Sequence, residues 1–368
     1  MEAPTVFLCG DVMTGRGIDQ ILGAPLPPVL YEPVVDSALD YVALAESVNG
    51  RIPRGVPPEY PWGDALDALR RRRPDVRIAN LETAITRSET PEPKGINYRM
   101  SPGNATVLTA AGIDACALAN NHVLDWGSAG LLETLSSLDQ LAIRHAGAGA
   151  DDTHAALPAA LPLPGGGRIL LFAWGHAGSG IPRGWSATSG RPGVNLLPGL
   201  DARTVARVGA AVDAARRPGD LVVASIHWGS NWGYAIPSEQ RRFARALIRE
   251  AGVHVVHGHS SHHARGMELV DGHLVLYGCG DFLNDYEGIG GYEAYRGDLA
   301  LMYFARIAPD DGQLVGLDLV PLRLRRFRLE YAPGEDVDWL AATLQRESAP
   351  FGVELRRTGP QALALSPR

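Results

Sequence analysis

Lysine is almost missing from this chain: Lys94 stands alone among 34 basic Lys and Arg residues, a bias of a GC-rich coding sequence that points to no activity by itself. Cysteine is nearly as scarce. Cys9, Cys116 and Cys279 are odd in number and each lies inside an apolar run, which excludes a disulfide framework and suits buried free thiols in a reducing, cytoplasmic compartment. No stretch reaches the ~18 apolar residues of a spanning helix, and Met1-Glu2-Ala3-Pro4 leads into the apolar run Thr5 to Cys9 with no basic or apolar leader. No membrane partner is expected. The longest basic run is Arg70 to Arg73 and the net charge is −7, which argues against nucleic acid as a partner. A Walker loop, a GxGxxG turn and a GxSxG elbow are all absent, removing the commonest nucleotide-binding and serine-hydrolase chemistries.

What is present reads as a globular protein: 368 residues, 45% apolar and 20% charged. Short β-branched runs predict strands near 5–9, 76–80, 113–119, 168–174, 220–227, 253–257, 273–278, 299–306 and 314–320. Helical patterns fall near 62–73, 102–111, 128–141, 201–217, 238–251 and 336–347. The alternation favours a layered α/β fold, with residues 1–330 as one domain and 331–368 as a C-terminal helix and tail packed on it. The proline-rich stretch 19–60, part of whose 36–48 segment admits a helix, and the glycine-rich stretch 175–199 read as lids or binding loops.

The densest chemistry is His257-Gly258-His259-Ser260-Ser261-His262-His263, which follows the apolar run Val253 to Val256. Imidazoles at the end of a buried strand suit a borderline transition metal, and strand ends of α/β sheets are where ligands bind. Other predicted strands end in kind: Gly10-Asp11, Asn80-Leu81-Glu82, Asn120-Asn121-His122 and His227. Alone, Asp11 is a turn aspartate and His227 a core histidine. Together, Asp11, Glu82, Asn121, His227, His257, His259 and His262 form a carboxylate, amide and imidazole set without thiolate, suited to one or two ions of Mn, Zn or Fe. Asp125, three residues beyond His122, is the nearest acidic partner for that imidazole.

The ordered motifs GDVMTGR, NLETAIT, ALANNHVLDWG, IHWGSNWGY, GHSSHHARGME and YGCGDFLND resemble the CapA family of capsule and poly-γ-glutamate synthesis proteins, over about residues 5–305. The resemblance implies a calcineurin-like metallophosphoesterase fold, a four-layer α/β/β/α sandwich with two mixed sheets. It further implies Asp11 as a first-strand ligand, Glu82 as a bridging carboxylate, Asn121 as an amide ligand, and His227, His259 and His262 as the remaining ligands, with His122 as general acid. Which of His257, His259 and His262 are ligands stays open. Met13 stands where metallophosphoesterases place a histidine, and Asp281 where relatives carry asparagine, so Asp281 is expected to orient a ligand histidine or hold a turn.

On this reading the protein is a metal-dependent hydrolase of a phosphoester or γ-glutamyl-type amide in a small acidic substrate. Arg16, and with it Arg99 and Arg265, would be clamps for a phosphate or carboxylate, since a guanidinium matches either anion bidentately. The alternative is a transferase or accessory factor in polymer synthesis.

Overall fold

In a computed structural model, which describes residues 2–365, two mixed sheets carry the chain. The first is ten-stranded, in the order Leu355–Gly359, Ala362–Leu365, Leu314–Arg325, Leu299–Ile307, Thr5–Val12, Val76–Leu81, Ala115–Ala117 and Arg144–Ala146, with Asp281–Leu283 and Arg328–Tyr331 paired at its side. The second is seven-stranded: Leu196–Leu197, Arg168–His176, Leu221–His227, Val255–His259, His273–Leu276 and Met267–Val270, with Ala159–Pro162 beside Arg168–His176. Among the described residues no helix is long and apolar enough to cross a membrane.

The apolar runs of the second sheet are continuous because both of its faces are covered. Ile169, Leu171, Leu221, Val223, Val255 and Leu274 join the core shared with the first sheet. Their neighbours Leu170, Phe172, Val222, Ala224, Val256 and Val275 meet Val205, Val208, Phe243 and Leu247 of the helices Ala202–Ala215 and Ser238–Glu250. Side chains alternate along a strand, so this assignment decides the polar residues too. Ser225 and His227 continue the parity of Val223, while His257 and His259 continue that of Val255, so all four face the inter-sheet layer.

The C-terminal segment holds the helix expected near 336–347, and its tail adds two strands that the sequence reading does not mark. After the helix Gly334–Ser348, Leu355–Gly359 and Ala362–Leu365 form a hairpin that extends the first sheet beside Leu314–Arg325. Its alternation is short and at an edge, where little burial marks the pattern. The helix admitted within 36–48 is present as Ala38–Asn49.

Candidate metal centre

Strand register brings the polar ends together. Asp11 pairs with Asn80 on one side and Asp281 on the other, and His227 pairs with His259 in the second sheet. The register of the first strand shifts at Gly10, where a side chain would place its Cβ 1.8 Å from the Gly280 carbonyl oxygen. Only glycine allows that approach, and it lets Asp11 lie beside Asp281.

Asp11 is the hub. Its Oδ1 accepts from Asn80 Nδ2 at 2.8 Å and its Oδ2 from the Ser260 backbone N–H at 3.2 Å. Ser260 has φ 101°, a strained conformation for a residue other than glycine, and it aims that N–H at the carboxylate. Asn80 also donates to Glu82 Oε2 at 3.2 Å and accepts from Asn120 Nδ2 at 3.1 Å, while Asn120 Oδ1 takes the N–H groups of His122 and Val123.

Two groups of ligand atoms converge tightly enough to hold metal ions: Asp11 with His227 and His259, and Asp11 with His262 and Asp281, the atoms of each lying within 4.8 Å of one another. All five residues are buried. In the first group His227 Nδ1 and His259 Nδ1 are 2.8 Å apart. The far side of His259 fixes its tautomer. His257 Nε2 donates to the Cys9 carbonyl at 2.9 Å, so its Nδ1 accepts from the Ser225 hydroxyl at 3.0 Å, and Ser225 Oγ accepts from His259 Nε2 at 2.8 Å. His259 Nδ1 is thereby left bare, as a metal ligand must be. In the second group Asp281 Oδ1 meets His262 Nδ1 at 2.8 Å and Asp281 Oδ2 accepts from Asn284 at 2.9 Å.

The electrostatics fit a cation. Burial, and then the Asp281 carboxylate, push the Asp11 carboxyl up to about 7. Burial, then Asp11 and Asp281, hold Glu82 well above the usual carboxylate range. Burial, followed by neighbouring imidazoles, holds His227 and His259 far below the ordinary histidine value and so keeps them neutral. Carboxylates too close to ionise together, beside imidazoles with bare nitrogens, are a donor set that a divalent ion satisfies.

His122 lies at the edge of this cluster. Its Nδ1 is 2.6 Å from Asp125 Oδ2, its Nε2 3.9 Å from Glu82 Oε1, and its ring stands edge-on to Tyr98 at 4.7 Å. Burial pushes His122 down to about 4 against the opposing pull of Asp125. Lys94 Nζ donates to Asp125 Oδ1 at 2.7 Å.

Several expected residues stand elsewhere. His257, open as a ligand, has both ring nitrogens committed to Cys9 and Ser225 and serves as a support. Arg16, expected as a substrate clamp, is fully enclosed: its Nε donates to Asp285 at 3.1 Å and its Nη1 to Glu32 at 3.1 Å, while Tyr41 and Tyr98 lie 3.8 and 4.1 Å from its guanidinium carbon. Those partners leave it no face for an anion. Asn121, by contrast, is at the centre: its Oδ1 lies 3.0 Å from Nε2 of His227. Glu82 is also beside the centre, with Oε1 3.8 Å from His227 Nε2, while Asp11 is the carboxylate that occurs in both donor groups. Arg99 lies over the Trp126 ring at 4.0 Å and Arg265 donates to the Ser230 carbonyl at 2.6 Å, both away from the ligand atoms. Met13 is buried against the Tyr286 hydroxyl. Ser225 and Lys94 are site residues to which the sequence reading assigns no role, whereas Asn120 belongs to the strand end already marked. The parity of Ser225 with His227 and the isolation of Lys94 as the sole lysine were the available signals.

The bacterial capsule synthesis protein model, PGA_cap, matches residues 5–286. A probable polyglutamine synthesis accessory protein of Mycobacterium tuberculosis is 46% identical over 356 residues, covering 96% of this chain and 93% of the relative. The capsule biosynthesis protein CapA of Bacillus anthracis is 25% identical over 62% of this chain and 53% of its own length. The PGA biosynthesis protein CapA of Bacillus subtilis is 25% identical over 58% of this chain and 54% of its own. The matched span takes in the strand ends of Asp11, Glu82, His122, His227, His259, His262 and Asp281, and the chain belongs to the bacterial capsule synthesis protein family PGA_cap.

Proposed function

We propose that this family member is a metal-dependent hydrolase acting on a phosphoester or γ-glutamyl-type amide of a small acidic substrate, on a calcineurin-like sandwich, in the cytoplasm. The observation that carries the reading is the pair of buried donor groups sharing Asp11. Asp11, His227 and His259 would hold one ion of Mn, Zn or Fe, and Asp11, His262 and Asp281 a second, with Asp281 supplying the ligand that Met13 does not. Bound metal supplies positive charge that offsets the buried carboxylates and polarises a substrate oxygen. His122 supplies the proton chemistry. Its Nδ1 is committed to Asp125, so Nε2 is the atom that exchanges a proton with substrate, and the Asp125 contact keeps the ring aimed inward. The three buried free thiols support a reducing compartment.

A second reading, an accessory factor that binds rather than hydrolyses, is favoured by the name of the mycobacterial relative and by the engagement of Arg16 in the fold. Metal analysis of the purified protein separates them. Hydrolysis predicts at least about one Mn, Zn or Fe per chain and metal-stimulated turnover of phosphoesters or γ-glutamyl amides. Asp281→Asn should lower occupancy by a factor of ~10 to 100. Fewer than about half an ion per chain, with no turnover after reconstitution with Mn²⁺ or Zn²⁺, would favour the accessory reading.

A further inference from the structure

Of the 34 Lys and Arg residues, the one that is lysine reaches the catalytic edge of the site. Lys94 Nζ donates to Asp125 Oδ1 at 2.7 Å and to the Asn121 carbonyl, lies 3.4 Å from His122 Nδ1, and stands 5.2 Å above the Trp185 ring. Asp125 is fully buried, and its other oxygen already takes the Tyr98 N–H and His122 Nδ1, each at 2.6 Å. Segment 92–98 wraps this carboxylate from outside: the Glu92 N–H and Asn97 Nδ2 donate to the Asp125 carbonyl at 2.8 and 3.1 Å. The lysine side chain enters along that segment and is 24% exposed.

We infer that Lys94 is a positioning residue for His122: its ammonium holds the Asp125 carboxylate and the Asn121 carbonyl together, so that Asp125 keeps the His122 ring with Nδ1 bonded and Nε2 turned to the site. This extends the proposed hydrolysis, in which His122 transfers the proton. The geometry explains why the residue is lysine in a chain that otherwise uses arginine. An ammonium is a compact donor that can serve a carboxylate and a carbonyl from one point, whereas the planar guanidinium fork requires acceptors arranged in its own plane. Losing the ammonium leaves a buried carboxylate short of a partner, and the fully hydrogen-bonded arrangement around His122 loses its anchor.

The test uses the full-length protein carrying isotope-labelled histidine. Wild type is expected to show a far-downfield Nδ1 proton for His122, identified by its absence in His122→Asn. In Lys94→Met that resonance is expected to shift or broaden away while the ring signals of His227 and His259 stay in place. Ethylammonium added to Lys94→Ala should restore it, and guanidinium should not. With p-nitrophenyl phosphate as the probe, Lys94→Met should lower kcat by a factor of ~10 to 100 at unchanged KM and metal content. An unaltered His122 proton in Lys94→Met overturns the inference, as does its absence from wild type. Should Lys94→Met fail to fold, Lys94→Arg decides: a wild-type spectrum there contradicts the need for lysine. The spectrum does not depend on turnover, so an inactive but metal-loaded wild type would sink the hydrolase reading and leave the role of Lys94 to be decided by the proton signal.

Discussion

His122 separates proton chemistry from metal binding. It lies outside both ligand groups, yet its Nε2 is 3.9 Å from Glu82. His122→Asn is therefore expected to keep the metal content of wild type and to lower turnover by ~10²-fold, the scale of losing a general acid or base. Metal analysis beside steady-state rates checks this, and stripped metal would make His122 a ligand instead. At this scale the sequence offered Asp11, Glu82, Asn121, His122 and His227 as polar residues at the ends of apolar runs, His259 and His262 from the histidine cluster, and Asp125 as the acidic residue nearest His122. It could not rank Arg16 or His257. The partners that occupy them, Asp285 and the Cys9 carbonyl, are 269 and 248 residues away in the chain.

At the scale of elements, the centre depends on how strands meet. The register shift at Gly10 coincides with its close approach to the Gly280 carbonyl, and Asp11 just beyond it pairs with Asn80 and Asp281. Gly10→Ala drives a Cβ into backbone that cannot rotate away. It is expected to destabilise the fold by ~2 kcal/mol or more, in the range of overpacked cores, and to reduce metal occupancy by separating Asp11 from Asp281. Urea unfolding together with metal analysis reads both, and an unchanged midpoint would show that the two strands part freely. The strands that set this geometry were legible where they are long and covered on both faces, as in Arg168–His176 and Leu221–His227. Asp281–Leu283 was not read as a strand, since three residues give no period to detect.

For the whole molecule, burial of so many imidazoles makes stability depend on pH. His122, His254, His257 and His263 are each pushed down to about 4, with burial the largest cause, and burial also holds His227 and His259 well below the ordinary value. The unfolded chain binds protons at these six as pH falls through ~6.5 while the folded chain does not, so their contribution is present above that pH and lost below it. Asp11 and Glu82 act oppositely: raised in the fold, they favour it at low pH and cease to as pH rises through about 7 for Asp11. Raised His262, Asp19, Asp114 and Glu287 join that side. Each imidazole held neutral contributes up to about 1.4 kcal/mol per pH unit, and six of them outweigh two strongly raised carboxyls. The metal-free protein should therefore lose stability from about pH 7 to about pH 5, and added Mn²⁺ or Zn²⁺ should raise the thermal midpoint near pH 7 but little near pH 5, where protons compete for the ligands. Thermal unfolding in chelator across this range checks it, and a midpoint that rises on acidification would contradict it.

The sequence by itself determined the α/β class, the strands that end in ligand-type residues, and the family, because alternation, punctuation and motif order are local properties of the chain. Tertiary structure decided which of those residues act together. Asp11 is the carboxylate common to both donor groups, Asp281 joins one of them, His257 becomes a support, and Lys94 reaches His122. These outcomes depend on the packing of two sheets and on side chains meeting across it within hydrogen-bonding distance, and contacts between residues so far apart in the chain leave no periodic trace in it.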